Sequence, residues 1–159
     1  MTETITLPID GGCQCGQLRY RVSRPPNMVH ACHCRDCQVR TGSAFSMAMR
    51  VRTDGFEILD GVDTVTSLRC SPKGQISVHH HCPACFVRTH TITPERPEIV
   101  TVRPGTLDDT RWLRPAVQLW TESAMPWAIA AIAPALCREA EDYTAFRAEW
   151  RLHYNFVKL

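Results

Sequence analysis

Seven of the nine cysteines lie in three tight clusters, and this pattern constrains the fold more than any other feature of the 159-residue chain. The clusters are two pairs and one trio: Cys13 and Cys15, Cys82 and Cys85, and Cys32, Cys34 and Cys37. Thiolates at positions i and i+2 of an extended segment point to one face, and a two-residue knuckle brings positions i and i+3 together. Each cluster therefore offers sulfurs to one metal at about 2.3 Å, the usual zinc–sulfur distance. The two pairs complete one tetrahedral site, whereas the trio leaves a second metal with a free or weakly held fourth position, where substrate or water binds in zinc enzymes.

A disulfide framework is the alternative to metal binding, and it needs an oxidising compartment and usually a short secreted chain. Residues 1–8 have no basic segment followed by an apolar one, and no later stretch is apolar enough to cross a membrane. We therefore expect a cytoplasmic protein whose reduced cysteines bind two zinc ions per chain. Cys70 and Cys137 lie outside the clusters, and we expect both to be buried as small apolar residues.

The length and composition indicate one zinc-binding domain that spans residues 1–159. No linker, repeat or low-complexity segment divides the chain. The net charge is only +2, and both signs are mixed along the sequence, so neither a nucleic-acid partner nor a membrane partner is indicated. The sequence does not predict the oligomeric state.

Alternation of apolar and polar residues predicts a mainly β protein. Strands are expected within residues 18–22, 45–51, 76–78, 99–102 and 117–120. Turns are expected at Asp54-Gly55, Asp60-Gly61 and Lys73-Gly74. Only the tail is predicted to be helical, because Tyr143, Phe146 and Trp150 recur at helical spacing and form an aromatic packing face.

The motifs are similar to those of a known family. The segments 11–20, 32–37, 41–45 and 82–85 read GGCQCGQLRY, CHCRDC, TGSAF and CPAC, and they resemble the glutathione-dependent formaldehyde-activating family, which is often grouped with centromere protein V. The later segments GTLD, LW and PW at 105–108, 119–120 and 126–127 agree with the family's downstream blocks. The similarity covers roughly residues 12–127.

This resemblance implies a β-tent fold of stacked short antiparallel sheets built around zinc. The C-terminal helix is predicted separately, from the spacing of the aromatic residues. It implies a structural zinc bound by the two cysteine pairs and a second zinc bound by Cys32, Cys34 and Cys37. The implied activity is that of a carbon–sulfur lyase that condenses glutathione with formaldehyde to S-(hydroxymethyl)glutathione. A small-molecule thiol such as glutathione is therefore the expected ligand.

Two features near the last cluster depart from the family pattern. The family continues with Gly and Thr after its last cysteine, whereas Phe86 and Val87 stand here; a bulky residue is disfavoured at positive φ, so we expect this turn to be strained or built differently. The run His79-His80-His81 precedes the cluster, and strand alternation sends His80 to the face opposite its neighbours. We expect these histidines to be surface or hydrogen-bonding residues rather than metal ligands.

The trio's chemistry favours a thiol substrate over water. Three thiolates on a doubly charged cation leave a net charge of about −1, which makes the metal a poor acid. A thiol that loses its proton there is nucleophilic and attacks a small aldehyde. We predict His33 and Asp36 as catalytic residues that supply a proton to the alkoxide, and His30 is a third candidate. Arg35 or Arg40 could hold a substrate carboxylate, although most arginines are solvated surface charges.

Two alternatives to the lyase hypothesis stay open. The chain could be a non-catalytic zinc-binding module, in which His30 or another protein atom closes the trio's fourth position and the surface serves a partner. It could also be a reductase, because methionine sulfoxide reductase B resembles the same tent-like scaffold. That activity requires an exposed nucleophilic cysteine with a resolving partner, and Cys70 and Cys137 are poor candidates for the pair.

Overall fold

The computed structural model describes residues 2–70, 74–129 and 133–158, with the backbone alone described for residues 66–70. Within these ranges the chain forms twelve strands and two α-helices. The strands are β1 (Glu3–Leu7), β2 (Ile9–Gly12), β3 (Arg19–Val22), β4 (Met28–Cys32), β5 (Ser46–Arg52), β6 (Phe56–Asp60), β7 (Thr64–Cys70), β8 (Gln75–His81), β9 (Arg88–Ile92), β10 (Ile99–Val102), β11 (Val117–Leu119) and β12 (Tyr154–Lys158). The helices are α1 (Arg35–Thr41) and α2 (Thr144–Arg151). The mainly β class predicted from the sequence is confirmed.

The strands form three sheets. The largest has seven strands in the order β11-β4-β5-β10-β9-β8-β7, the second is β2-β3-β6, and the third pairs β1 with β12. Most pairs are antiparallel, as expected, but β11 with β4 and β1 with β12 are parallel. The parallel partners are distant in sequence, and parallel pairing needs a long crossover connection that local alternation does not reveal.

The predicted strands alternate as their sequence pattern requires. In β3, Tyr20 and Val22 are fully buried while the flanking arginines are partly exposed. In β5, Met49 and Val51 are fully buried, and β10 adds Val100 from the neighbouring strand. These side chains belong to the main hydrophobic core. The expected apolar strand faces therefore build the centre of the molecule.

The helix predicted for the tail is confirmed as α2. Asp142 Oδ1 accepts hydrogen bonds from the backbone N–H and the hydroxyl of Thr144 at 3.0 and 2.8 Å, which satisfies a free donor at the start of the helix. Tyr143 and Trp150 are buried in the core, and Phe146 packs against it. The aromatic stripe is a packing face, as expected. Neither helix among the described residues reaches the length and apolar character needed to cross a membrane.

Helix α1 is a feature that the sequence pattern did not predict. It has only seven residues, and its N-cap, Cys34, makes no side-chain capping bond. It ends at Gly42, whose φ of 62° is the left-handed conformation typical of helix C-termini. A helix this short carries too few apolar residues to show a 3.6-residue period.

Some local expectations have mixed outcomes. Asp54-Gly55 lies in a 3₁₀ helix, and Gly61 has a φ of 81°, so both turns are present. Cys137 is exposed, so the expectation that it is buried is wrong. It follows Leu136, which packs against the core from an extended edge segment, so the next side chain points outward. The Cys70 side chain and the Lys73-Gly74 turn, in which Lys73 falls between the described ranges, lie outside what the structure describes.

Candidate metal centres and the adjoining cavity

The structure brings both cysteine pairs together into one four-sulfur cluster. Cys13 Sγ lies 3.4 Å from Cys15 Sγ, which lies 3.7 Å from Cys82 Sγ, and all four sulfurs lie within 4.8 Å of one another. Tetrahedral bonds of about 2.3 Å to zinc would place sulfurs about 3.8 Å apart. The donor set and its spacing therefore fit one zinc ion with four protein ligands.

Backbone hydrogen bonds shape the loops that carry these four cysteines. The Gly16 N–H donates to the Cys13 carbonyl at 3.1 Å, and the Leu18 N–H donates to Cys13 Sγ at 3.2 Å. Hydrogen bonding from Val87, and then from Cys15, lowers the pKa of Cys85 to about 6. Donors that point at sulfur favour the thiolate, which is the form that binds metal.

The knuckle after Cys85 is strained, in agreement with the departure noted in the sequence. Phe86 has a φ of 58°, in the left-handed region that costs a residue with a Cβ about 1–2 kcal/mol. Its N–H donates to the Cys82 carbonyl at 2.9 Å, and the Cys82 N–H donates to the Val87 carbonyl at 3.0 Å. These bonds hold the turn closed while the Phe86 side chain stays 75% exposed. The knuckle keeps its metal-binding shape without glycine.

The trio is assembled where β4 meets α1. Cys32 is the last residue of β4, Cys34 is the N-cap of α1, and Cys37 lies in the first turn of the helix. Cys32 Sγ and Cys34 Sγ are 3.5 Å apart, and the three sulfurs lie within 4.8 Å of one another. This spacing also fits a tetrahedral metal, with three of four positions supplied.

The three sulfurs share their protons unequally. Hydrogen bonding from Cys32, and then from Cys37, lowers the pKa of Cys34 to about 2. Hydrogen bonding to Cys34 and Cys37 raises the pKa of Cys32. One thiolate is thus stabilised by its neighbours even before a cation neutralises the cluster.

Gln38 fixes the helix that carries the trio. Its Nε2 donates to the carbonyls of His33 at 2.7 Å and Ser123 at 2.8 Å, and its Oε1 accepts from Arg35 at 2.5 Å. Arg35 is therefore engaged with the helix, and it is not among the residues that line the adjacent cavity. Of the two arginines suggested from the sequence as carboxylate ligands, Arg40 lines that cavity.

A cavity of about 200 Å³ opens beside the trio. Four arginines line its walls: Arg40, Arg50, Arg88 and Arg103. No aspartate or glutamate of the described residues lines it. No nitrogen or oxygen of a described His, Asp or Glu joins the three sulfurs within 4.8 Å. The trio thus faces a positively charged cavity without a fourth protein ligand from these residue types.

The four arginines are held in different ways. Arg88 donates to His79 Nδ1 at 2.8 Å, and Arg103 donates to Ser46 Oγ and to the Met47 carbonyl. Arg40 pairs with Asp36 at 3.6 Å across one helical turn. These three arginines are oriented by the protein.

Arg50 differs because no carboxylate of the described residues lies within salt-bridge distance of it. Its guanidinium lies 4.9 Å from the centre of the Tyr143 ring, and burial lowers its pKa. Arg50 also lines a second cavity of about 330 Å³, which shares Thr93 and Thr101 with the first. It therefore stands where the two cavities meet.

The predicted catalytic residues lie outside the cavity lining. His33 is fully buried and packs 5.3 Å from the Phe45 ring, and burial lowers its pKa. Asp36 is half exposed on α1. The imidazoles that line the cavity are His30 and His79. The catalytic roles of His33 and Asp36 stay predictions.

Burial gives both cavity histidines low proton affinity. It lowers the pKa of His30 well below its usual value, with Arg50 and Arg103 acting in the same direction. It lowers the pKa of His79 to about 4, with Arg40 as the next cause. Both imidazoles are therefore neutral at pH 7, and each binds a proton more weakly than an exposed histidine does.

Sequence reasoning missed Arg50, Arg88 and Arg103 as residues of this site. Each lies on or beside a different strand, and the register of β5, β10 and β9 brings them together. Alternation shows only that such side chains share one face of their own strand. Their convergence on the trio depends on strand pairing.

Comparison with known proteins agrees with the motif pattern. The sequence model of one family, described as glutathione-dependent formaldehyde-activating enzyme, matches residues 8–123, a segment that contains all the clustered cysteines. The crystal structure of a Rhodobacter sphaeroides protein matches with a TM-score of 0.50 and 18% sequence identity, over 80% of this chain and 99% of that chain. At this identity the likeness concerns the fold alone. No curated protein gives a significant match.

Proposed function

Because the chain belongs to the glutathione-dependent formaldehyde-activating enzyme family, we propose that it catalyses the addition of a thiol such as glutathione to formaldehyde, a carbon–sulfur lyase-type reaction. The observation that carries the proposal is the three-sulfur cluster on the wall of a cavity lined by four arginines. Three ligands leave room for the sulfur of a substrate, and the arginines suit its carboxylates.

We assign one zinc ion to each cysteine cluster, two per chain. Sulfur separations of 3.4, 3.5 and 3.7 Å support tetrahedral zinc at both clusters. At the four-cysteine cluster the ion is structural, because all four positions are filled and the ligands come from two distant loops. At the trio, zinc supplies positive charge that favours the thiolate form of a bound thiol.

The charge of the cavity supports an anionic thiol. Arg50 is a largely desolvated cation that Glu139 stabilises only at long range, with no carboxylate of the described residues within salt-bridge distance, and a ligand carboxylate would offset the cost of its burial. Its position between the two cavities leaves space for a substrate longer than a single amino acid. A carboxylate at Arg50 would direct the thiol end of the substrate toward the trio.

The proposed addition conserves atoms and charge. The sulfur–carbon bond forms as the π bond of formaldehyde breaks, and the proton lost by the thiol returns to the carbonyl oxygen. The neutral imidazoles of His30 and His79 line the cavity and can relay this proton, and their lowered pKa favours its rapid release to the oxygen. His33 and Asp36 remain the residues predicted from the sequence for the same task. We also propose a cytoplasmic location, since the reaction needs reduced cysteines.

The central experiment measures exchange between glutathione and S-(hydroxymethyl)glutathione by NMR, with substoichiometric zinc-loaded protein. Wild-type protein should accelerate the exchange above the spontaneous rate, and Cys34→Ser should abolish the acceleration. Cys137→Ser is the matched control because that cysteine is exposed and belongs to neither cluster. If the wild-type protein leaves the exchange rate unchanged, the lyase proposal fails, and the chain is better described as a non-catalytic zinc-binding module.

A second experiment tests the role of the arginines. Arg50→Met should raise the KM for glutathione about ten- to hundredfold, the range for a hydrogen bond to a charged group. It should leave the reaction of cysteamine, a thiol without a carboxylate, nearly unchanged. Arg24→Met is the control, because Arg24 is an exposed arginine that pairs with Asp54. Equal losses for both thiols would contradict carboxylate binding at Arg50.

The proton-transfer residues are separated by kinetics. His30→Gln and His79→Gln should lower kcat more than they change KM if the cavity imidazoles hold the proton. The same behaviour in His33→Gln and Asp36→Asn, with His30→Gln and His79→Gln unaffected, would instead support the residues predicted from the sequence.

A further inference from the structure

A second group of metal-ligating side chains lies away from the cysteines. His80 on β8 and His90 on β9 are directly opposite each other in the antiparallel register. Asp63, just before β7, contacts both: its Oδ2 lies 2.5 Å from His80 Nδ1 and 3.8 Å from His90 Nε2. One ligand atom from each residue lies within 4.8 Å of the other two. Three segments thus converge on one point.

This group is separate from the cavity beside the cysteine trio. His79 lines the cavity, and strand alternation turns the next residue, His80, to the opposite face of β8. There His80 stacks on His90 with ring centroids 4.2 Å apart, and Phe56 packs 4.7 Å from His90. The side chains of His80 and His90 are only 14% and 4% exposed. The group is therefore a largely enclosed polar cluster.

Two details suit cation binding. Thr89 Oγ1 lies 3.0 Å from His90 Nδ1, so the hydroxyl orients the ring and leaves Nε2 toward Asp63. His80 Nε2 is buried without a hydrogen-bond partner among the described residues, so hydrogen bonding with Asp63 alone does not satisfy the ring.

We propose that Asp63, His80 and His90 form a third cation site, which takes a divalent first-row transition ion such as Zn²⁺ or Co²⁺. Two imidazoles and one carboxylate are a ligand set that such ions favour. Opposite residues in an antiparallel pair have Cβ atoms about 4.5–5.5 Å apart. Rotation about χ2, which has a broad energy minimum in histidine, lets one nitrogen of each imidazole turn toward the same ion. This assignment replaces the sequence-based expectation that His80 is not a ligand.

The third site differs from the cysteine clusters in strength and role. It has three ligands, a single negative charge and no thiolate, so its ion exchanges while the cysteine clusters keep theirs. Purified protein is therefore expected to retain two zinc ions and to bind a third cation on titration. The ion would fasten the segment before β7 to β8 and β9, at the edge of the large sheet.

The test uses Co²⁺ as the probe on protein that already carries zinc in its cysteine clusters. Equilibrium dialysis followed by metal analysis should show one additional equivalent of Co²⁺, with weak visible bands and no thiolate-to-cobalt charge-transfer absorption. Asp63→Asn preserves the size of the side chain and an oxygen for His80, and it should weaken this binding at least about tenfold. Asp60→Asn is the matched control, because Asp60 is an exposed residue of the same turn whose Oδ1 accepts from the Gly61 N–H at 2.8 Å.

The outcomes are distinct. Additional Co²⁺ in wild-type and Asp60→Asn protein, lost in Asp63→Asn protein with both zinc ions retained, supports the site. No additional equivalent in wild-type protein, or equal binding in all three proteins, overturns it and leaves Asp63 and His80 as a hydrogen-bonded pair. Thiolate-to-cobalt absorption with release of zinc would show exchange at the cysteine clusters instead, which also overturns the proposal.

Discussion

Replacing Phe86 tests the strained knuckle through the sign of a stability difference. Glycine at most positions is less stable than alanine by about 0.4–1 kcal/mol, because it increases the freedom of the unfolded chain. At the φ of 58° found for residue 86, a side chain with a Cβ carries a penalty of about 1–2 kcal/mol that glycine avoids. The second effect exceeds the first by about 0–1.6 kcal/mol, with a central value of about 0.8 kcal/mol. Phe86→Gly should therefore be more stable than Phe86→Ala by that amount.

The Gly–Ala comparison removes the contribution of the aromatic ring. Phe86 is 75% exposed, so both variants lose the same small buried area, and the difference between them reports the backbone alone. Ala84→Gly in the same knuckle is the control: Ala84 is exposed and has no positive φ, so glycine there should destabilise the protein by about 0.4–1 kcal/mol.

Urea unfolding of the zinc-loaded, reduced proteins measures these differences from the shift in midpoint at constant slope. We expect a higher free energy of unfolding for Phe86→Gly than for Phe86→Ala, and a lower one for Ala84→Gly than for the wild-type protein. If Phe86→Ala is as stable as Phe86→Gly, residue 86 does not have a left-handed backbone in solution, and the argument for a strained turn is wrong.

Two further predictions concern the cysteine clusters and pH. Cys13→Ser or Cys82→Ser should lower folded yield, since structural zinc binding is coupled to folding, whereas Cys34→Ser should keep the fold and lose one of two zinc ions by metal analysis. Equal loss of folded protein in all three variants would contradict this division, and Cys137→Ser controls for loss of a thiol. Burial lowers the pKa of His79 from 6.5 to about 4. Between these pH values the unfolded chain binds a proton at His79 that the folded chain does not, so the free energy of unfolding falls as pH falls from about 6.5 to 4. His79→Gln should show a shallower loss of unfolding free energy over that range, and a slope equal to that of wild type would refute the assignment.

Local chemistry made the strands and the cysteine clusters predictable. The alternation of Tyr20 and Val22 with arginines is a property of neighbouring residues, and the structure buries the apolar members. The four-cysteine cluster was also predictable. Each cysteine pair has metal-ligand spacing but supplies only two of the four ligands that a tetrahedral site needs, so the two pairs complete one site. For the strands the physical requirement is met within a few residues, and for the cluster each pair shows its own need for two further ligands, although the pairs are distant in sequence.

Distant pairing accounts for most of what the sequence did not predict. In the sequence Arg50 is an ordinary polar residue of a strand, and only the register of the large sheet brings it to the wall of the cavity beside the trio. Asp63 and His90 likewise meet His80 across segments whose order in the sheet is not encoded by local alternation. The immediate surroundings of such residues in the chain carry no signal of the partners they acquire.

Helix α1 was not predicted from the sequence for a different reason. Its seven residues follow Cys34, an N-cap that makes no side-chain capping bond, so the usual start signal is absent. The remaining signals are Asp36 in the first turn, Arg40 in the last turn and Gly42 at the C-terminal end. Together these are compatible with a short helix that begins directly after Cys34, whose own backbone is extended.

The pairing of β1 with β12 has a consequence for synthesis. Glu3 pairs with Tyr154, so β1 leaves the ribosome about 150 residues before its partner exists. At translation rates of about 5–20 residues per second, this interval is roughly 8–30 s. During that time Ile5 and Leu7, both buried in the finished core, have an unpaired edge in the nascent chain. Cys85, by contrast, follows Cys15 by only 70 residues. A zinc ion can therefore join the two cysteine pairs before β12 has been synthesised.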